Sequence, residues 1–316
     1  MILPDFIIAG ERRSGSTSLG KWMEAHPELF MYPRMDLNYF LETYLTIIRR
    51  TWKNGEFNPD EWEKDHSLEA YASLFEAGKG KKAIGEKSPD LLYWQPSHAR
   101  MKAFVPEAKI ILTLRHPIKR AWSMYWNEVG KARERLSFED AIVQEEERCK
   151  GGAYMRDHFS YFRRGFYDET ISEFYKTFPP EQVLIIILEE SIADPIANLR
   201  KIYQFIGVNP ELGMERAHIH YNNNWTSVPH EFWRQNAFLS KVEAGFVKYL
   251  RNGMGLFVHD SFERRRIMPK IEGVFRKTMN EFKMEEDTRK YLEDLYRPHV
   301  NNFENLIGRK IEAWKF

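Results

Sequence analysis

Three short apolar runs mark the chain: Phe6 to Ala9, Lys109 to Leu114 and Val183 to Leu188. Each is rich in Ile, Leu or Val, with little alternation of apolar and polar positions. Strands covered on both faces read this way, because neither face meets water. Helical patterns separate the runs, and that alternation predicts βαβ units with a parallel sheet. Pro117 follows the second run and suits the first turn of a helix that Ile118 to Val129 continues. Phe178-Pro179-Pro180 breaks the chain before the third run. Asp194 then reads as the N-cap of a helix reaching about Phe205. From about Glu231 the pattern is helical and amphipathic, with breaks near Asn252-Gly253 and Arg297-Pro298. No repeat or low-complexity linker divides the 316 residues. Residues 1–316 therefore read as a single α/β domain: a P-loop-like parallel sheet flanked by helices, with a helical C-terminal cover.

Composition narrows the function classes. Hydrophobic residues at 43% and charged residues at 29% suit an ordinary globular core. A formal net charge of +1 argues against a nucleic-acid-binding surface, although a local anion site survives in a balanced total. Among the aromatics, Trp22, Tyr39, Tyr44, Trp94 and Trp126 lie near the segments discussed next. Each could line a pocket, but core packing is the simpler explanation. Cys149 is the only cysteine, so no intrachain disulfide forms, which fits a reducing compartment. It falls in the helical charged run Glu145 to Lys150 and has no patterned partner, so it is assigned no catalytic role. Met1 to Asp5 shows no basic-then-apolar leader, and no run approaches the ~20 apolar residues that span a bilayer. The expectation is a cytoplasmic protein with no membrane partner.

The chemistry begins after the first strand. Phe6 to Leu19 reads as a strand, a tight loop Gly10-Glu11-Arg12-Arg13-Ser14-Gly15 and a helix opening on Ser16-Thr17-Ser18. Backbone N–H groups at a helix start are unpaired and partly positive, so a phosphate is a natural ligand. Gly15 lets the backbone approach closely. The hydroxyls of Ser16, Thr17 and Ser18 add donors, and Arg12 and Arg13 add charge. This is not a Walker A loop, because Ser16 stands where that motif needs lysine. The alternative is a serine-capped helix with two solvated arginines.

A second segment repeats the arrangement. Ile110 to Ser123 places Arg115 at the carboxyl end of a strand and Ser123 about two turns into the next helix. Ligands in open α/β sheets sit outside the carboxyl ends of strands. Arg115 is thus expected at the same crevice as the first loop, where an arginine fork and a hydroxyl suit a phosphate monoester.

Together these segments resemble the PAPS-dependent sulfotransferases, particularly the heparan-sulfate-like and bacterial branch (PAPS is 3′-phosphoadenosine 5′-phosphosulfate). Gly10, Arg13, Gly15, Ser16 and Thr17 match that family's 5′-phosphosulfate loop, with Arg13 in place of its lysine. Arg115, Pro117 and Ser123 match its 3′-phosphate signature. Gly85-Glu86-Lys87-Ser88-Pro89 and Arg164-Gly165-Phe166-Tyr167 look like two further family elements, and Pro298 to Trp314 resembles its C-terminal helix.

The resemblance implies a metal-free sulfuryl transfer from PAPS to a hydroxyl or amine of a small acceptor, releasing 3′,5′-adenosine bisphosphate. Arg13 or Lys87, with Arg12 as a further candidate, would take over the loop lysine's task. Arg12, Arg13 and the Ser14-Gly15-Ser16-Thr17-Ser18 loop would hold the 5′-phosphate. Arg115, Ser123, Arg164 and Tyr167 would hold the 3′ side. Asp36, before Tyr39-Phe40, falls where the family places a catalytic glutamate and is the candidate base; His98 and His116 are rivals. His26, before Pro27, reads as a helix-end residue. His220 to Thr226 falls where relatives often carry a loop that closes over the nucleotide. Two other functions stay open: a P-loop nucleoside-triphosphate kinase, which would need the missing lysine and a magnesium carboxylate, and a non-catalytic nucleotide- or sulfated-glycan-binding protein of the same fold.

Overall fold

The computed structural model describes residues 1–33, 36–41, 67–131, 133–217 and 283–316. It also describes the backbone of four short strands at 52–53, 56–57, 225–227 and 276–278. Tyr44, the stretch from Glu231 through Gly253, and most of His220 to Thr226 lie outside the described residues. The chain segregates into two compact units, one of Met1–Met124, Phe138–Asn222 and Glu285–Phe316, the other of Tyr125–Ser137 and Asn223–Met284.

In chain order the described elements are β1 (Phe6–Gly10), α1 (Ser16–Met23), β2 (Leu29–Met31), β3 (Trp52–Lys53), β4 (Glu56–Phe57) and α2 (Leu68–Ser73). Then come β5 (Ala83–Lys87), α3 (Pro96–Phe104), β6 (Lys109–Leu114), α4 (Pro117–Gly130), α5 (Phe138–Val143), α6 (Glu145–Cys149) and α7 (Ala153–Phe159). They are followed by α8 (Tyr167–Tyr175), β7 (Val183–Ile187), α9 (Leu188–Ala193), α10 (Pro195–Ile206), β8 (Trp225–Ser227), β9 (Arg276–Thr278) and α11 (Glu286–Leu306).

The three apolar runs are β1, β6 and β7, as their patterns predict. They join β2 and β5 in a five-stranded sheet, order β2-β5-β1-β6-β7, every pairing parallel. Side chains alternate across it. Ile7, Ala9, Ile110, Leu112 and Leu114 pack into one layer with Tyr71 and Phe75 near α2, Met101 of α3, Phe174 of α8 and Phe303 of α11. Phe6, Ile8 and Ile111 pack into the other layer, with Leu19 and Trp22 of α1 and Ile202 and Tyr203 of α10. Both faces are dry, so these strands need no polar alternation.

The strand order sets the site. From β1 the chain crosses to β2 and returns through β5. From β6 it crosses the other way, to β7. The reversal leaves a crevice at the carboxyl ends of the adjacent strands β1 and β6, where such sheets bind ligands.

Two helix expectations hold: α4 opens on Pro117, and Asp194 caps α10 by accepting from the Ala197 amide at 2.9 Å. The C-terminal expectation needs correcting. No break occurs at Arg297-Pro298, because α11 runs through Pro298 from Glu286 to Leu306. An interior proline costs about 3 kcal/mol. Four apolar anchors on one stripe, Leu292, Tyr296, Val300 and Phe303, are buried and offset that cost. In the second unit, β8 pairs antiparallel with β9, Trp225 facing Thr278. Among the described residues no helix is long and apolar enough to cross a membrane.

Candidate functional site

The loop after β1 turns sharply. Arg13 takes a left-handed backbone, φ 69°, and Gly15 follows at φ 88° as the N-cap of α1. The strain at Arg13 amounts to about 1–2 kcal/mol, and functional loops concentrate such residues. Gly15 is required twice over: its φ is left-handed, and a Cβ there would lie 2.5 Å from Leu188 Cδ1. No side chain caps α1, so its first amides keep their partial positive charge. Beneath them the Ser14 hydroxyl is buried and has no hydrogen-bond partner. Ser16 is buried beside it; Thr17 and Ser18 are half-buried.

The exit from β6 meets this loop directly. Arg13 Nε donates to Ser123 Oγ at 3.1 Å. Arg115 Nη1 points at the Arg13 carbonyl at 3.4 Å, and burial lowers the guanidinium's hold on its proton. Thr113 Oγ1 donates to the Gly10 carbonyl at 2.8 Å, fastening the start of the loop to β6. Two sequence segments 102 residues apart are thus one constellation.

A third piece comes from β5. Lys87 is buried, its stem lying 3.6 Å from where a Cβ on Gly20 of α1 would sit. Its ammonium is bonded to the Asp36 carboxylate, which is 40% exposed. Asp36 and Asn38 both have positive φ, and the turn is pinned backbone to backbone by Leu37 N–H donating to the Lys87 carbonyl at 3.0 Å.

Arg12 and Arg164 are engaged elsewhere. Arg12 donates to Asp90 at 2.6 Å and to Asp157 at 3.0 Å. Arg164, 1% exposed, donates to Glu11 at 2.8 Å, to Asp90 at 2.9 Å and to Asp157 at 3.3 Å, and stacks over Tyr93. Burial works against the charge on Arg164, but Glu11, Asp90 and Asp157 outweigh it and raise its pKa. Burial likewise pushes Asp90 up, yet Arg12 and Arg164 together pull it well below the usual carboxylate range. Two guanidiniums and three carboxylates form a buried network under the loop. In this structure their guanidiniums bond to protein carboxylates, which ties the loop to the segments carrying Asp90 and Asp157. The Tyr167 hydroxyl likewise donates to the Arg115 carbonyl at 2.8 Å, so it buttresses the β6 exit.

The histidines sort clearly. His98 is buried, its Nε2 at 2.9 Å from the Leu91 carbonyl and its ring against Phe174. His26 Nε2 lies 2.8 Å from the Asn209 carbonyl and its Nδ1 accepts from Glu28 N–H, closing the turn after α1. His116 is buried beside Phe316, and burial, with Lys119 and Arg115, pushes it down to about 4. Its backbone N–H donates to Glu189 at 3.1 Å, and Glu189 also accepts from the Trp314 indole at 3.0 Å. Cys149 is half-buried, and burial raises its thiol, which keeps it protonated.

Glu11, Asp90, Asp157 and Glu189 went unnoticed in the sequence. Most of their partners stand 73 to 153 residues away, with no spacing rule to signal them. Of the aromatics, Trp22 and Tyr39 are core residues, and Trp94 packs partly buried against the core. Among the described residues no group of His, Cys, Asp or Glu could hold a metal ion.

A crevice at the carboxyl ends of a parallel sheet fits the comparisons. The sulfotransferase family profile matches residues 4–211, and the chain belongs to that family. It is 23% identical over 206 residues to the mouse heparan sulfate glucosamine 3-O-sulfotransferase 3B1, covering 65% of this chain and 46% of that protein. It is 23% identical over 326 residues to the human bifunctional heparan sulfate N-deacetylase/N-sulfotransferase 3, covering 99% of this chain and 31% of that one. The chain thus spans less than half the length of these curated relatives. A crystal structure of a sulfotransferase from Alicyclobacillus acidocaldarius shares the fold, with a TM-score of 0.64, 24% identity and 99% of both chains covered.

Proposed function

We propose that this protein transfers a sulfuryl group from PAPS to a hydroxyl or amine of a small acceptor, releasing 3′,5′-adenosine bisphosphate. The observation that carries the reading is the contact of Arg13 with Ser123 at the strand-order reversal. It brings the segment suited to the 5′-phosphate against the one suited to the 3′-phosphate. The crevice fits such a donor: an uncapped helix start, a buried unpartnered Ser14 hydroxyl, and Arg13 and Arg115 within one loop's reach.

PAPS supplies an activated sulfur–oxygen bond, which breaks toward the 5′-phosphate as a new one forms to the acceptor. The protein's tasks are alignment and charge stabilisation. The amides of Gly15 to Ser18, with Ser14 and Arg13, hold the 5′ end and the charge that develops there. Arg115 and Ser123 hold the 3′-phosphate, and Tyr167 steadies Arg115 through its carbonyl. Asp36 receives the acceptor's proton. Lys87, paired with Asp36 and lying against α1, adds positive charge for the leaving oxygen. The buried Arg12–Arg164 network fixes the loop from below.

The relatives are named for heparan sulfate, so a glucosamine-containing oligosaccharide belongs in the acceptor panel beside phenols and alkyl amines. The deciding experiment is calorimetric titration with 3′,5′-adenosine bisphosphate, on the wild type and on Arg115→Ala, followed by labelled-sulfate transfer from PAPS across that panel. Tight binding that Arg115→Ala weakens, with transfer to one acceptor class, supports the reading. Absence of wild-type binding overturns it. Binding with no turnover favours a non-catalytic nucleotide-binding protein.

A further inference from the structure

Glu86 is a carboxyl group with no exposure at all, set in β5 next to Lys87, whose ammonium bonds to the candidate base. Strand alternation turns it away from Lys87, into the layer that holds Tyr71 and the Tyr39-Phe40 pair. Tyr71 Oη donates to Glu86 Oε1 at 3.1 Å, and Ser88 Oγ donates to Glu86 Oε2 at 2.7 Å. Ser88 Oγ in turn accepts from Asn38 N–H at 2.8 Å. Asn38 has a left-handed backbone, φ 52°, two residues after Asp36, and its own side-chain oxygen is buried without a partner. With the Leu37 amide on the Lys87 carbonyl, this serine ties the turn's backbone to the end of β5 and the residue after it.

We propose that Glu86 is a positioning residue for the transfer reaction: through Ser88 it fixes the turn that carries Asp36. The inference rests on the assignment of Asp36 as base. Its logic is a proton count. A hydroxyl has one proton to give and two lone pairs to accept with. With Glu86 ionised, Tyr71 and Ser88 both donate to it, and Ser88 keeps a lone pair free for Asn38. With Glu86 protonated, its own O–H must point at one of those hydroxyls, and a buried O–H loses its acceptor. An orphaned buried donor is costly enough to reorient the group. Burial pushes Glu86 up to about 7, against the pull of Ser88, Tyr71 and the Lys87 charge, and Asp36 raises it further. The groups that act on it are Tyr71 from α2, Ser88 just past the strand, the neighbouring Lys87 on the opposite face, and Asp36 from the turn. The turn is therefore set above about pH 7 and slackens below.

The test compares Glu86→Gln with the wild type. The amide keeps the volume but must donate to one of the two hydroxyls, so it imitates the protonated state at every pH. Release of 3′,5′-adenosine bisphosphate from PAPS, with water as acceptor, is followed from pH 5.5 to 9. The wild type is expected to gain about tenfold in kcat across pH 7. Glu86→Gln is expected to stay at the low plateau, with 3′,5′-adenosine bisphosphate affinity within twofold of wild type. A variant with wild-type kcat and the same acid limb overturns the proposal. A wild type that neither binds the bisphosphate nor releases it fails the functional reading instead. Amide exchange over residues 36–41, beyond the intrinsic pH dependence, is the second readout and needs no turnover. Protection that rises across pH 7 in the wild type and not in Glu86→Gln sustains the positioning role; equal protection in both ends it. Tyr71→Phe, which spares Glu86 and Ser88, stands in should Glu86→Gln not fold. It is expected to move the limb to higher pH, and an unmoved limb counts against the relay.

Discussion

Arg13 Nε and Ser123 Oγ lie 3.1 Å apart, so the loop after β1 and the helix after β6 meet side chain to side chain. A guanidinium can hold this contact and still present its other nitrogens, which a lysine cannot do from a single atom. Arginine in this loop thus makes a side-chain bond to the β6 segment through its Nε.

Arg13→Ala is expected to lower PAPS turnover by about a hundredfold, as when one oxyanion donor is lost. Affinity for 3′,5′-adenosine bisphosphate should fall much less, because Arg115 and the loop amides remain. Arg13→Lys should recover only part of the rate, since the bond to Ser123 requires the guanidinium's Nε. Steady-state kinetics alongside calorimetry separates the two effects. An equal loss in rate and affinity would make Arg13 a simple binding residue.

Asp36 and Lys87 are bonded to each other, and Asp36 is the more exposed partner. Asp36→Asn keeps the shape and removes the base, so kcat should fall about 10²–10⁴-fold while bisphosphate binding is retained. Lys87→Met should reduce kcat as well, because it removes both the charge beside the leaving oxygen and the ion pair that holds Asp36. If Asp36→Asn leaves kcat intact, the proton goes elsewhere and this assignment falls.

Much of this was legible in the chain. β1, β6 and β7 are continuous apolar runs because both sheet faces are covered, and the loop after β1 and the Arg115-Ser123 pair carry fixed local spacings. β5 was hidden because it ends in Glu86-Lys87, two charged residues that look solvated and are in fact buried by Tyr71, Ser88 and Asp36. The tasks of Arg12 and Arg164 were hidden for a related reason. An arginine beside a phosphate loop looks the same in sequence whether its partner is a ligand or a carboxylate 145 residues away.

Arg164→Ala leaves Glu11, Asp90 and Asp157 buried with Arg12 as their one remaining network cation. Removing one member of a buried ion cluster typically costs about 3–5 kcal/mol. Urea denaturation should register a loss of that size, with the bisphosphate affinity of the folded protein little changed. A large loss of affinity at unchanged stability would return Arg164 to the phosphate site.

Glu145 gives the pH dependence of folding. Its carboxylate has no exposure and accepts from the amides of Phe162 at 2.7 Å and Arg163 at 3.0 Å, fixing the segment that leads to Arg164. Burial nevertheless pushes it up to about 8. The native state thus binds this proton more tightly than the unfolded chain does. Stability falls as pH rises between the ordinary carboxylate value and about 8, by up to about 1.4 kcal/mol per pH unit for such a group. Glu86, at about 7, adds a second falling contribution that is spent once pH passes that value. His116 runs the other way. Burial holds it near 4, so the native state binds fewer protons there and stability rises from about pH 4 toward the ordinary histidine value. These opposed slopes should cancel partly in mild acid and leave a clear decline from pH 7 to 8 that belongs to Glu145. Glu145→Gln is expected to flatten that decline in urea unfolding measured at half-unit steps, while leaving the rise in acid from His116 in place. Parallel curves for the two proteins from pH 7 to 8 would mean that Glu145 is already ionised in the native state, with its two amide donors outweighing the burial.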